Sequence, residues 1–131
     1  MKRNTLDKLN STVARPGVTR RVFSGNRATL AFTTLEPGHT PHPHSHPHEQ
    51  IVYIISGKLR FVVGDEDAIV ESGDMLVIPP GVEHWAETIG SDPAVDLSVF
   101  SPCRDDYVKE ETPGDWRAPG LASEPSADAR A

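Results

Sequence analysis

The feature that most limits the fold is a succession of short runs rich in Val, Ile, Phe and Thr. RRVFS, ATLAFTTL, QIVYIIS, KLRFVVG, AIVES, DMLVIPP, HWAETI and VDLSVF follow one another, separated by Gly, Pro, Asp, Asn or Ser turn signals. No stretch reads as a long amphipathic helix, so the helical crossovers of a parallel sheet have nothing to be made from. The expected class is all-β, an antiparallel sandwich or small barrel whose mouth is a usual place for a ligand. At 131 residues the chain is long enough for one packed domain and too short for two ordinary ones.

Composition sets the boundaries and excludes some partners. Residues 1–17 are polar and end in ARPG, which reads as an N-terminal arm before the first strand. Residues 18–111 carry the strands and form the barrel domain. Residues 112–131, rich in Pro, Ala, Gly and Ser, read as a mostly disordered C-terminal tail, with Trp116 able to dock on the domain or on a second subunit. A net charge of −6 with no basic cluster gives no footprint for a nucleic acid. No segment has the apolar length to span a bilayer, so a soluble cytoplasmic protein with no membrane partner is expected. The single cysteine, Cys103, rules out an internal disulfide and a thiolate metal site, so any metal must take nitrogen and oxygen ligands.

Such ligands crowd into one segment. HTPHPHSHPHEQ holds His39, His42, His44, His46 and His48, and His84 is the only other histidine in the chain. In a strand, alternate side chains share a face, so His44 and His46 would lie roughly 6.6 Å apart and point the same way, close enough to converge on one ion. Gln50 would lie roughly 13 Å from His46 along a straight strand and could join only if the chain bends. Pro47 stands where that bend is needed. His48 competes with Gln50, and spacing alone leaves both open. His39 and His42 read as loop histidines. His84 follows the rigid turn Pro79, Pro80, Gly81, which sets it at a strand entry where it can face inward.

These residues carry a resemblance. Gly38, five residues, His44-x-His46, three residues, Gln50, six residues, Gly57 resembles the first motif of the cupins, with Gln50 where most members have glutamate. Gly73, five residues, Pro79-x-Gly81, two residues, His84 resembles the second, with Thr88 where asparagine is common. The resemblance covers roughly residues 18–108. It implies a single-domain jelly-roll β-barrel with one divalent transition metal ion held by His44, His46, Gln50 and His84. Nitrogen-rich ligation suits Ni, Zn, Mn, Fe or Cu. Three imidazoles and a carboxamide add no formal charge, so such an ion would keep its full positive charge and act as a stronger Lewis acid.

A narrower resemblance joins HSHPHEQIVYIISGKLRF with DLSVFSPCRDDYV. Both look like the small pectin-degradation cupins that open the ring of 4,5-unsaturated monouronates. That family has three His and one Gln on the metal, and an Asp, a Phe and an Arg needed for activity. Phe100 and Arg104 match, while Ser98 stands at the Asp position. Asp96 lies one alternation earlier on the same face. Arg104, Ser98 and Asp96 are therefore the candidate catalytic residues. Phe100, Arg104, Tyr53 and His48 are the candidate substrate contacts, with Tyr53 and Trp85 equally suited to wall or core. Arg104 would clamp a substrate carboxylate, or else pair with Asp105 or Asp106 at the surface.

Three functions compete. The first is a metal-dependent enzyme acting as Lewis acid on a small carboxylated or sugar-acid-like molecule. The second is a cupin dioxygenase. The third is a non-catalytic small-molecule sensor, favoured by the missing Asp and disfavoured by the lack of a DNA-binding domain. Cupin barrels commonly cover their sheet edges by pairing, which implies a homodimer, with contacts sought at residues 18–25 and around Trp116.

Overall fold

The computed structural model describes residues 1–111, so the tail from residue 112, with Trp116, lies outside the described residues. In chain order the strands are β1 (Thr12–Arg15), β2 (Val18–Ser24), β3 (Thr29–Leu35), β4 (Glu49–Ser56), β5 (Lys58–Val63), β6 (Glu66–Glu71), β7 (Met75–Ile78), β8 (His84–Thr88) and β9 (Ala94–Ser101). A 3-10 turn, Leu6–Lys8, precedes them, and a single helical turn, α1 (Asp105–Val108), follows. The strands form two antiparallel sheets, one in the order β1-β2-β3-β9-β4-β7 and one in the order β6-β5-β8, as a jelly roll requires.

Each apolar run of the sequence becomes a strand because it alternates. In β9 Ala94, Asp96, Ser98 and Phe100 turn inward, while Val95, Leu97 and Val99 lie half-buried on the outer face. In β4 Gln50, Val52 and Ile54 are buried between exposed Ile51, Tyr53 and Ile55. The apolar core lies between the sheets: Val52, Ile54, Leu59, Phe61, Ile78 and Ala94 pack together. Each of the larger side chains so buried contributes roughly 1.5–3 kcal/mol, and the Ala94 methyl less. Gly57 lets β4 pass into β5 at one end of this core. It has a φ of +81°, and a Cβ there would stand 2.6 Å from the Ala94 Cα.

The sheet begins at Thr12 and not at Val18. The polar TVAR segment buries little, yet its backbone pairs with β2, Val13 opposite Thr19 and Arg15 opposite Val18, through the turn at Pro16 and Gly17. The residues before it are also tied down. Lys2 Nζ donates to the Ser24 carbonyl at 2.6 Å, and Arg21 Nη1 donates to the Leu6 and Leu9 carbonyls at 3.0 Å each. Backbone hydrogen bonds and cationic side chains hold this segment where hydrophobic pattern gave no signal. β2 is consequently an interior strand, which removes residues 18–25 as an open edge for a second subunit; the edges of the large sheet are β1 and β7.

Candidate metal centre

The histidine-rich segment is not a regular strand. It makes a bend at Pro47 and His48, just before β4. That bend brings Gln50 Oε1 to 3.0 Å from His46 Nε2. The Pro-Pro-Gly turn delivers the remaining histidine. His44 and His84 exchange backbone hydrogen bonds, N–H to carbonyl at 3.1 Å and 2.9 Å, and the Gly81 N–H donates to the His46 carbonyl at 2.8 Å. The two separated sequence motifs are thus joined through their own backbones. One ring nitrogen from each of His44, His46 and His84 lies within 4.8 Å of the others.

The ring orientations follow from the carbonyls behind them. Nδ1 of His44 faces the His42 carbonyl at 2.6 Å, Nδ1 of His46 the His48 carbonyl at 3.0 Å, and Nδ1 of His84 the Val82 carbonyl at 2.9 Å. A carbonyl can only accept, so each Nδ1 carries the proton and each Nε2 presents a lone pair. Burial lowers the pKa of all three rings, which keeps them in the neutral form that ligates a metal. Their mutual charges and the nearby Arg104 guanidinium add to the effect.

Gln50 completes the set. Its Nε2 donates to Ser98 Oγ at 2.9 Å, and Ser98 Oγ in turn donates to Asp96 Oδ1 at 3.3 Å. The carboxamide oxygen is thereby aimed at His46, so two lone-pair-bearing atoms face each other 3.0 Å apart. His84 Nε2 is buried with no hydrogen-bond partner among the described residues. Converging acceptors with no donor between them suit a cation and little else, so these four residues fit a divalent metal.

The space beside this cluster is a cavity of about 450 Å³ that takes in Gln50, Asp96, Ser98, Phe100 and Arg104. Asp96 is fully buried, and burial pushes its carboxyl up to about 7 despite the Ser98 hydrogen bond. Arg104 is buried, not at the surface. Its Nε and Nη2 form a bidentate pair with Asp106 at 2.9 Å and 2.7 Å, while Nη1 is buried without a partner. Phe100 presents its ring edge-on to His46, centroids 5.5 Å apart.

Two sequence expectations are corrected. Tyr53 points out of the barrel and is 42% exposed, because the alternation that buries Gln50 and Val52 turns it to the other face. His48 is buried but does not line the cavity: its Nε2 donates to the Cys103 carbonyl at 3.1 Å, so it braces the loop behind the cluster. His39 and His42 also differ from simple loop residues. His39 Nε2 accepts the Thr88 N–H at 3.3 Å, and His42 lines the cavity while its carbonyl orients His44. Arg15, Arg20, Trp85 and Tyr107 line the cavity too. Arg15 was missed with β1, for which the turn signal Pro16-Gly17 between TVAR and VTRRVF was the available cue, whereas Arg20 lies in β2 within the recognised run RRVFS.

Comparison with known proteins agrees with this geometry. A family model described as a cupin domain matches residues 31–100. Oxalate decarboxylase OxdC of Bacillus subtilis is 33% identical over 94 residues, 67% of this chain but 24% of that protein, so the chain spans about a quarter of that relative's length. Among solved structures, an RmlC-like cupin from Shewanella frigidimarina superposes with a TM-score of 0.73 at 21% identity, covering 79% of this chain and 93% of that one. KdgF from Halomonas sp. superposes with a TM-score of 0.68 at 26% identity, covering 74% and 89%. The matched domain takes in both the bent histidine segment and the Pro-Pro-Gly turn that holds His84, and the protein belongs to the cupin family.

Proposed function

We propose that the protein is a metal-dependent enzyme acting on a small carboxylated molecule, by ring opening or isomerisation of a sugar acid. The observation that carries this reading is the neutral, donor-free ligand set of His44, His46, His84 and Gln50, of which His44, His84 and Gln50 line the same cavity as Arg104 with its unpartnered Nη1. A divalent metal bound there would supply Lewis acidity undiminished by a protein carboxylate.

The chain's own groups have distinct tasks. Arg104, held by Asp106 and stacked 4.0 Å over Tyr107, offers its free N–H to a substrate carboxylate and fixes its position. Asp96 lines the cavity with its carboxyl tuned toward neutral pH, so it can hold or release a proton within the cavity. Ser98 between Asp96 and Gln50 orients the carboxamide and relays that proton's position. Phe100 walls the cavity beside His46 and excludes water. The likeness to KdgF favours this reading over a dioxygenase or a sensor. A homodimer is part of it, paired through the outer face of β4 and β7, where Ile51, Tyr53, Met75 and Val77 are exposed. The free, buried Cys103 suits a reducing cytoplasm.

The test is the metal content of untagged protein purified without added metal, beside a Gln50→Ala, His84→Ala double variant. About one equivalent in the wild type, lost in the variant, supports the site. Zn, Ni or Mn together with turnover of a 4,5-unsaturated monouronate supports the reaction. Iron or copper with oxygen uptake replaces it by the dioxygenase reading, and a wild type without metal after reconstitution removes both.

A further inference from the structure

The proposed function uses one arginine, yet the cavity has others. Arg20 is satisfied: its Nε and Nη2 each meet a Glu110 carboxylate oxygen at 2.8 Å. Arg104 has Asp106. Arg15 makes no ion pair or hydrogen bond with a described residue, and its Nε is buried without a partner. An unpaired guanidinium N–H in a cavity wall is costly unless something arrives to accept from it. Burial, and the Arg20 guanidinium beside it, disfavour the charged form of Arg15. Of the carboxyl groups lining the cavity, Asp106 is taken by Arg104 and Asp96 is held toward its neutral form, so neither offsets Arg15.

Sheet register places Arg15 far from the metal ligands. Arg15 is opposite Val18, Val18 opposite Leu35 and Leu35 opposite Ala94, whereas Gln50 is opposite Phe100. Ala94 and Phe100 are six residues apart on β9, roughly 20 Å of strand. The Arg15 side chain nonetheless lines the same cavity as Tyr107 and Arg104. The Tyr107 ring also carries the Arg20 guanidinium at 3.9 Å and that of Arg104 at 4.0 Å. Arg104, Tyr107, Arg20 and Arg15 therefore line one cavity together, with Arg104 paired to Asp106, Arg20 paired to Glu110, and Arg15 left without a carboxylate.

We infer that the cavity takes an elongated dianion, with one carboxylate at the Arg104 end and a second acidic group accepted by Arg15. This rests on the carboxylate reading above and narrows it to long diacids. Six residues of β9 separate the two rows, so the diacid has to be longer than oxalate, and hexanedioate and octanedioate test two such lengths.

The experiment is calorimetric titration of the metal-loaded full chain with hexanoate, oxalate, hexanedioate and octanedioate. The expected result is that one of the long diacids binds about tenfold or more tighter than hexanoate, the gain of one charge-assisted contact. Arg15→Gln should bring that diacid to the level of hexanoate and leave hexanoate and oxalate unchanged, which also shows that the variant is folded. Arg15→Lys should retain part of the gain. Equal affinities for hexanoate and both long diacids overturn the inference alone, as does an Arg15→Gln variant that keeps the difference. Failure of every acid to bind overturns the carboxylate reading with it.

Discussion

Gln50 Nε2 donates to Ser98 Oγ at 2.9 Å, a contact across the β4–β9 pair that turns the carboxamide oxygen toward His46. Ser98 therefore positions the Gln50 carboxamide, the oxygen ligand of the proposed metal site. Ser98→Ala should leave the fold intact and weaken metal binding by about 10–100-fold, the usual cost of losing a group that orients a ligand. Competition with a chelating dye measures this, and an unchanged metal affinity would show that Gln50 needs no such support.

Asp96 sets a pH dependence of stability. Its carboxyl is raised from 3.8 to about 7 by burial, so between these values the folded chain holds a proton that the unfolded chain has released. Stability from this group is present at low pH and is lost as pH rises through about 7, by something on the order of 4 kcal/mol in all. Asp96→Asn, which stays neutral, should approach the wild type near pH 4 and exceed it by a growing margin up to about pH 7. Urea unfolding of the metal-free proteins across that range reads the difference, and parallel curves for the two would refute it.

Two glycines with similar backbone should respond differently to alanine. Gly57 and Gly73 have φ of +81° and +94°, but a Cβ at Gly57 meets Ala94 and Pro93 at 2.6 Å whereas one at Gly73 meets nothing within 4 Å. Gly73→Ala is expected to cost about 1 kcal/mol, the penalty of the left-handed region alone. Gly57→Ala adds overpacking and should cost roughly 2–4 kcal/mol. Denaturant midpoints of the two variants test the order.

The exposed apolar face predicts how the chain associates. Ile51 pairs with Val77 and Tyr53 with Met75, and all four side chains point outward from the last two strands of the large sheet. A Tyr53→Glu, Met75→Glu variant should be monomeric under conditions where the wild type sediments as a dimer. A monomeric wild type at tens of micromolar would leave this face without its expected partner.

Strand content was legible because the apolar runs alternate and end at turn residues, and the gathering of His44, His46, Gln50 and His84 because proline and glycine around them announce irregular backbone. Gln50 is the instructive case: a straight strand placed it out of reach, and Pro47 marked the bend that brings it back. β1 was not legible, since TVAR has little apolar surface and is held by backbone pairing that leaves no mark on composition. Tyr53, whose ring suited wall or core equally well, turns outward because the alternation on β4 buries Gln50, Val52 and Ile54.

The paired backbone bonds between His44 and His84 have a mechanical meaning. His44 lies in the loop that leads into the large sheet, and His84 opens a strand of the small one. Any scissoring of the sheets at this end must break both bonds, along with the one from Gly81 to His46. The three histidines thus sit on a clasp between the sheets, and a second tie at the Leu35 end, where Thr88 Oγ1 donates to the Leu35 carbonyl at 2.8 Å, keeps that clasp from being worked open by leverage. The mutual spacing of the imidazoles is therefore a property of the backbone, set before anything arrives between them.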